Sequence, residues 1–144
     1  MGIWEMLTVL CFIINMERII KFKAKRLDNG EWVKGDLVHS TSYVGISYPS
    51  DEFSDVPIVH RVDPSTVCQF TGLKDENGTE IWEHDILKNL PMTNEVIFRN
   101  GSFIIIEDYD DDIVEEPLSN CVLEGNICYL KVIGNKFDRK EGEK

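Results

Sequence analysis

The densest group of chemically capable residues is an acidic run from Glu107 to Glu116, where seven of ten residues are carboxylates. Asp108, Asp110 and Asp112 alternate in the way that ligands alternate in a calcium-binding loop. The glycine and the glutamate that such a loop needs at its sixth and twelfth positions are absent. We therefore predict no metal and no cofactor, and a solvated hairpin end. The candidate interaction surface consists of Asp108, Asp110, Asp111, Asp112, Glu115 and Glu116.

The histidines are the natural candidates for acid–base chemistry. Nucleophilic catalysis needs a nucleophile, a base and an orienting group within hydrogen-bond reach of one another. No motif brings such a set together, so we predict that the protein is not an enzyme and keep catalysis as a third hypothesis. The residues that would have to meet are His60 or His84, Cys68 or Ser65, and Asp85, with His39 further away in the sequence.

Aromatic and basic residues suggest a platform on which the bases of single-stranded nucleic acid could stack. The chain has 15 Lys and Arg against 26 Asp and Glu, a formal net charge of -11. Such a charge repels phosphate backbones, so direct binding to nucleic acid is not expected and core packing is the preferred interpretation. The aromatic residues are Tyr43, Tyr48, Phe70 and Trp82, and the basic strip is Lys21, Lys23, Lys25 and Arg26.

The cysteines indicate a compartment rather than a site. Cys11, Cys68, Cys121 and Cys128 form no Cys-x-x-Cys pair and have no histidine at zinc-finger spacing. We predict free buried thiols in a reducing, cytoplasmic environment.

The apolar run from Met6 to Ile14 is much shorter than the roughly twenty residues that span a membrane. We expect residues 1–15 to be an apolar extension, 16–135 to be one domain, and 136–144 to be a charged tail.

Three Asn-Gly dipeptides between β-type segments are the strongest structural signal. Type I′ turns need positive φ at both central residues, which Asn tolerates and Gly adopts freely. The dipeptides Asn29-Gly30, Asn77-Gly78 and Asn100-Gly101 therefore predict three hairpins. In the first arm, apolar residues alternate with Lys21, Lys23 and Lys25, which predicts a half-buried strand with a basic outer face. The fold class is mainly β and hairpin-rich.

Other strands are predicted at residues 43–48, 58–62 and 129–133, where β-branched and aromatic residues cluster. An acidic loop is predicted at 50–55, and the stretch 117–128 has room for one short helix.

The segment from Val62 to Leu87 resembles the central signature of the YopX family, small proteins typical of bacteriophages and prophages. The family pattern reads roughly T-V-G-Q-[FY]-T-G-L-x-D-x-N-G-x-x-I-[FYW]-E-G-D-I. The opening residues 19–24 and 30–35 agree as well, as do the closing residues 132–135. Cys68 and His84 stand where the family usually has Gly, so His84 is expected to accept a positive φ.

This resemblance implies an SH3-like β-barrel in the part that carries the signature, and a phage or prophage gene expressed in a bacterial cytoplasm. It implies no activity. Our first hypothesis is a non-catalytic phage accessory protein that binds protein, either itself or another, through a strand edge or apolar patch. The alternative is an inhibitor whose acidic surface imitates nucleic acid and occupies a host nucleic-acid-binding protein. No membrane association is expected.

Overall fold

The fold is mainly β, as the sequence predicts. The computed structural model describes residues 18–51, 53–89, 91–109 and 112–138. Its strands are β1 (Phe22–Lys25), β2 (Trp32–His39), β3 (Val44–Pro49), β4 (Pro57–Arg61), β5 (Cys68–Asp75), β6 (Glu80–Trp82), β7 (Asp85–Asn89), β8 (Met92–Arg99), β9 (Ser102–Tyr109), β10 (Asp112–Pro117), β11 (Ile127–Cys128) and β12 (Lys131–Asn135). The helices among the described residues are short 3-10 turns at Pro64–Thr66, Leu118–Cys121 and Lys136–Asp138.

The first sheet contains the N-terminal half of the described chain. Its strand order is β11-β5-β1-β2-β3-β4, and β6 pairs with β5. An isolated bridge between Arg26 and Val62 joins the end of β1 to the residue after β4, so this sheet curls back on itself. The curl encloses a small core of Ala24, Val33, Ile46 and Val62.

The second sheet has the order β10-β9-β8-β7-β12, so four consecutive strands form a meander and the last strand returns beside β7. One face of this sheet packs on the larger core, which also takes residues from β6 and β11. That core consists of Ile81, Leu87, Val96, Ile105, Leu118, Cys121, Cys128 and Leu130. The paired strands of the described residues thus form two sheets without a closed barrel, and the SH3-like barrel stays a prediction.

All three Asn-Gly hairpins are present, but they do not share one turn type. Asn100 and Gly101 both have positive φ, 53° and 81°, as a two-residue type I′ turn requires. At the other two hairpins only Gly30 and Gly78 are left-handed, because the connecting loops are longer than two residues. The expectation of type I′ geometry is therefore wrong for the first two turns.

Two segments differ from the sequence-based expectations. The stretch 117–128, where one short helix has room, contains a 3-10 turn at Leu118–Cys121 and the short strand β11. Residues 136–138, assigned to the charged tail, instead pack on the domain: the ring of Phe137 lies 6.5 Å from that of Trp32. The proposed extension 1–15 lies outside the described residues. No helix in the described part of the chain is long and apolar enough to cross a membrane.

Candidate functional site

The lysines of the basic strip lie on the face of the first sheet opposite the small core, as the sequence predicts, but other side chains partly cover this face. Ala24 points into the small core, so the lysines on either side of it point to the other face of the sheet. There the Lys23 ammonium lies 4.5 Å from the centre of the Trp32 ring and 5.2 Å from that of Trp82. Lys21 lies over Phe70 and Trp82 in the same way. Aromatic side chains therefore cover part of the predicted basic outer face, and the side chains of Lys21, Lys23 and Lys25 are 29%, 11% and 25% exposed.

Each lysine of this face is also paired with a carboxylate from another part of the chain. Lys21 contacts Glu80, and the Lys25 ammonium lies 2.9 Å from Asp138. Lys23 lies 3.9 Å from Asp85, and the two side chains are only 11% and 3% exposed. Cation–π contacts and ion pairs together neutralise the strip within the fold. We call this group, together with the Asn135 side chain that hydrogen-bonds Asp85, the lysine–aromatic cluster: Lys21, Lys23, Lys25, Trp32, Phe70, Glu80, Trp82, Asp85, Asn135 and Asp138.

Asp85 holds the centre of the lysine–aromatic cluster. Its carboxylate accepts hydrogen bonds from the backbone N–H of Trp82 at 2.7 Å and from the side-chain amide of Asn135 at 2.9 Å. Burial raises the pKa of Asp85, while these hydrogen bonds and Lys23 act in the opposite direction. The bond from Trp82 supports the turn before β7, so Asp85 caps this turn. Asn135, Trp32 and Asp138 were missed as members, although the first two lie in the matching opening and closing segments.

The four aromatic residues of the suggested stacking platform do not come together as one group. Phe70 and Trp82 pack on each other with ring centres 5.4 Å apart, and they are 6% and 2% exposed. Tyr48 lies elsewhere in the first sheet, where its hydroxyl group is 2.8 Å from His60 Nε2. These rings do not form one accessible surface for base stacking.

The residues of the hypothetical catalytic set are also apart. The thiol of Cys68 donates to the carbonyl of Thr66 at 3.3 Å, and burial raises the pKa of Cys68 to about 12. The hydroxyl of Ser65 donates to the carboxylate of Asp63 at 2.8 Å. In the described part of the chain neither nucleophile hydrogen-bonds a histidine. Cys68, Cys121 and Cys128 are free and buried, as predicted.

His84 adopts the positive φ that its place in the signature requires, 67°. Its ring packs edge-on against Phe137 at 5.2 Å, with carboxylate oxygens of Glu95 and Glu83 3.7 Å and 3.9 Å from its nitrogens. The histidine therefore stands in place of the usual glycine and adds a contact to the 3-10 turn at Lys136–Asp138.

The acidic run spans the end of the β9–β10 hairpin, as the sequence predicts, and its flanking residues belong to the two paired strands. β9 extends through Tyr109, and β10 begins at Asp112. Asp110, Asp111 and the side chain of Asp108 lie outside the described residues. Within the described ranges no three His, Cys, Asp or Glu side chains are grouped so that they could hold a metal ion. The sequence signal for β10 was the β-branched pair Ile113-Val114, which the surrounding carboxylates obscured.

β10 is an edge strand whose two faces are both accessible. In the described chain it pairs only with β9. Ile113 is 69% exposed and Val114, on the opposite face, is 44% exposed. Such a strand offers unpaired backbone groups and apolar side chains to an added strand.

β4 is also an edge strand, but both of its ends are blocked. Pro57 has no backbone N–H to donate at its beginning. At its end the carbonyl of Arg61 already accepts a hydrogen bond from the N–H of Leu27 at 3.1 Å. β10 also has a proline, Pro117, but only at its last residue, so it is the more open of these two edges.

Comparison with protein families matches residues 21–141 to the YopX family, described as YopX protein. The match covers most of the chain, so the protein belongs to the YopX family, as its signature indicates. A search of curated proteins gave no match. The signature, opening and closing segments meet in the lysine–aromatic cluster, which gives them a structural role.

Proposed function

We propose that the protein is a non-catalytic protein-binding module that takes up an extended segment of another protein at β10. The single observation that carries this proposal is the geometry of that strand: paired on one side only, accessible on both faces, with apolar side chains exposed on each. Strand addition obtains its affinity from main-chain hydrogen bonds and its specificity from alternate side chains. Three of the candidate surface residues, Asp112, Glu115 and Glu116, belong to β10.

The geometry gives less support to nucleic-acid mimicry. A mimic needs a row of free negative charges at the surface. Among the described carboxylates of the acidic run, Glu107 is only 9% exposed and Glu115 is paired with Arg99. The other two carboxylates whose side chains the structure describes, Asp112 and Glu116, flank exposed apolar residues, an arrangement that suits a peptide better than a basic nucleic-acid-binding surface.

Family membership suggests where in the cell, and in what kind of organism, this binding takes place. The YopX resemblance suggests a phage or prophage accessory protein acting in the bacterial cytoplasm, and free thiols suit that reducing compartment. The partner is then a phage or host protein. This proposal requires neither a cofactor nor a membrane.

The proposal is tested by comparing two edge variants of the full chain as baits in bacterial lysate. Ile113→Ser with Val114→Thr removes exposed apolar surface from β10. Ile58→Ser with Val59→Thr does the same on β4, where the two residues are 37% and 42% exposed. A partner retained by the wild type and by the β4 variant, but lost by the β10 variant, supports the proposal.

Hydrogen exchange then locates the contact. With the purified partner bound, the backbone amides of residues 112–116 that point away from β9 should exchange at least about tenfold more slowly, because strand addition gives them acceptors; Pro117 has no amide hydrogen. Retention of the partner by the β10 variant, or protection confined to β4, would contradict the proposal. Size-exclusion chromatography with light scattering shows whether a second copy is the occupant instead.

A further inference from the structure

We infer that the segment taken up at β10 is basic, with two cationic side chains four residues apart and apolar residues between them. This inference rests on the proposed function and assigns the chemistry of the partner. It follows from the direction in which each side chain of β10 points and from which of its charges already has a partner.

The β9–β10 register separates the two faces of the edge. Glu116 pairs with Ile105, Val114 with Glu107, and Asp112 with Tyr109. Directly opposed residues of antiparallel strands point to the same face. Ile105 is fully buried in the larger core. Asp112, Val114 and Glu116 therefore share one face of the sheet and alternate as acidic, apolar and acidic.

The other face of β10 carries no free charge. It bears Ile113 and Glu115, and the Glu115 carboxylate forms an ion pair with Arg99 of β8. The exposed Ile113 side chain gives that face an apolar character. Asp112 is exposed, and Glu116 is half-buried and accepts only a long hydrogen bond from the Cys121 thiol at 3.9 Å. The charges that a partner can neutralise are consequently those of Asp112 and Glu116.

Strand geometry converts this arrangement into a sequence pattern for the partner. Four residues of extended chain span about 13 Å, so an added strand matches both carboxylates with cations four positions apart. Apolar residues then lie opposite Ile113 and Val114, and a small neutral residue lies opposite Glu115. In antiparallel addition, the five partner residues that lie opposite Glu116 to Asp112 are, from the N-terminal end, basic, neutral, apolar, apolar and basic.

Charge also argues against a second copy of the chain in this place. An antiparallel β10 pair centred on Val114 would put Asp112 opposite Glu116 at both ends. Centring the pair on Glu115 would put that carboxylate opposite itself. Like charges directly opposite each other destabilise a strand pair, and each copy carries a net charge of -11.

The test uses short labelled peptides in fluorescence anisotropy with the full-length protein. The first peptide has the central sequence Lys-Thr-Val-Val-Lys. The second replaces both lysines by glutamate, the third replaces them by glutamine, and the fourth keeps the lysines but carries N-methyl groups on alternate backbone nitrogens. Two such methylated peptides are made, one for each set of alternate nitrogens, because only the set that points towards β10 takes part in pairing with it.

The protein is used as wild type, as Asp112→Asn with Glu116→Gln, and as Glu76→Gln with Glu124→Gln, a control with the same charge change on exposed residues.

The basic peptide should bind at least about tenfold more tightly than the acidic and glutamine peptides, and more weakly as salt rises. Asp112→Asn with Glu116→Gln should remove that preference, and the control pair should keep it. One of the two methylated peptides should fail to bind.

Equal binding of all unmethylated peptides, with loss on methylation, would overturn the basic-partner inference and leave strand addition intact. Equal binding of the basic peptide and both of its methylated forms would overturn strand addition itself. Absence of binding by every peptide would overturn both.

Discussion

The ammonium group of Lys23 lies 3.9 Å from the Oδ1 atom of Asp85, and this pair joins the first strand of one sheet to the first strand of the other. Both side chains are nearly buried, and Trp32 and Trp82 exclude water around the ammonium. An ion pair in such a place depends on both members, since either charge alone would be left without solvent.

Lys23→Met should therefore destabilise the protein by about 3 kcal/mol at pH 7. Burial already raises the pKa of Asp85 above its unfolded value, and loss of the ammonium would raise it further. A raised pKa means that the folded state keeps this proton at higher pH. The stability from Asp85 is then fully present below its unfolded pKa and is lost as pH rises through the folded value.

The destabilisation by Lys23→Met should accordingly shrink as the pH falls towards about 4, which urea unfolding at both pH values would measure. Lys34→Met is the control, because Lys34 is 55% exposed and lies 3.9 Å from Glu80. It should cost less than about 1 kcal/mol. An equal loss for Lys23→Met at both pH values would contradict the assigned role of Asp85.

Gly35→Ala should be among the most damaging single substitutions. A Cβ atom at this position of β2 would lie 2.2 Å from the backbone carbonyl oxygen of Ser47 on β3. A backbone atom within a strand pair cannot move aside as a side chain can. We expect a loss of about 3 kcal/mol or more, or a protein that does not fold.

Gly30→Ala is the matched comparison for Gly35. Gly30 has a φ of 72°, but no atom lies within 4 Å of the place that a Cβ atom would take, so only backbone strain of about 1 kcal/mol is expected. Thermal unfolding of both variants separates the steric effect from the conformational one. Similar melting temperatures would contradict this expectation and show that β2 and β3 can move apart enough to accommodate a Cβ atom at position 35.

His84 allows the energetic cost of a left-handed residue to be measured directly. His84→Gly and His84→Ala both remove the imidazole ring and its contact with Phe137. They differ in their tolerance of the φ of 67°. The glycine variant should be about 1 kcal/mol more stable than the alanine variant in denaturant unfolding. Equal stabilities would mean that the turn relaxes to a negative φ once histidine is gone.

Local features of this fold were predictable because they depend on short stretches of sequence. Asn100 and Gly101 form the expected two-residue turn since both accept positive φ. Turn type at Asn29 and Asn77 was not predictable from the dipeptide, because it depends on where the flanking strands end. The burial of Lys23 beneath aromatic rings was not predictable for a different reason. Alternation shows that two faces exist, but it does not show that Trp32 and Trp82 would cover the charged one.

The candidate edge was only partly predictable. Asp112, Glu115 and Glu116 were selected by charge alone. The strand that carries them was missed because carboxylates are rare in strands, and pairing with β9 outweighs that low propensity. The ion pair of Glu115 with Arg99 depends on a register across three strands, which no local pattern encodes.

Asn94 should be a site where an apolar replacement stabilises the protein. Its side chain is fully buried on β8, opposite Leu87 and Glu107, and neither its Nδ2 nor its Oδ1 atom has a hydrogen-bond partner in the described part of the chain. A buried amide without partners keeps its full desolvation cost. Asn94→Leu should raise the free energy of unfolding by about 1 to 2 kcal/mol, measured by urea denaturation.

Asn135→Leu supplies the control, because Asn135 is equally buried but fully engaged. Its amide donates to Asp85 at 2.9 Å and its carbonyl accepts from the N–H of Phe137 at 3.0 Å. Replacing it would leave the Asp85 carboxylate with one partner fewer in a buried position, so a loss of about 2 kcal/mol is expected. Opposite signs for the two asparagines would show that hydrogen-bond satisfaction, rather than burial of an amide as such, decides stability here. A destabilising Asn94→Leu would instead indicate that Asn94 binds a polar group inside the second sheet.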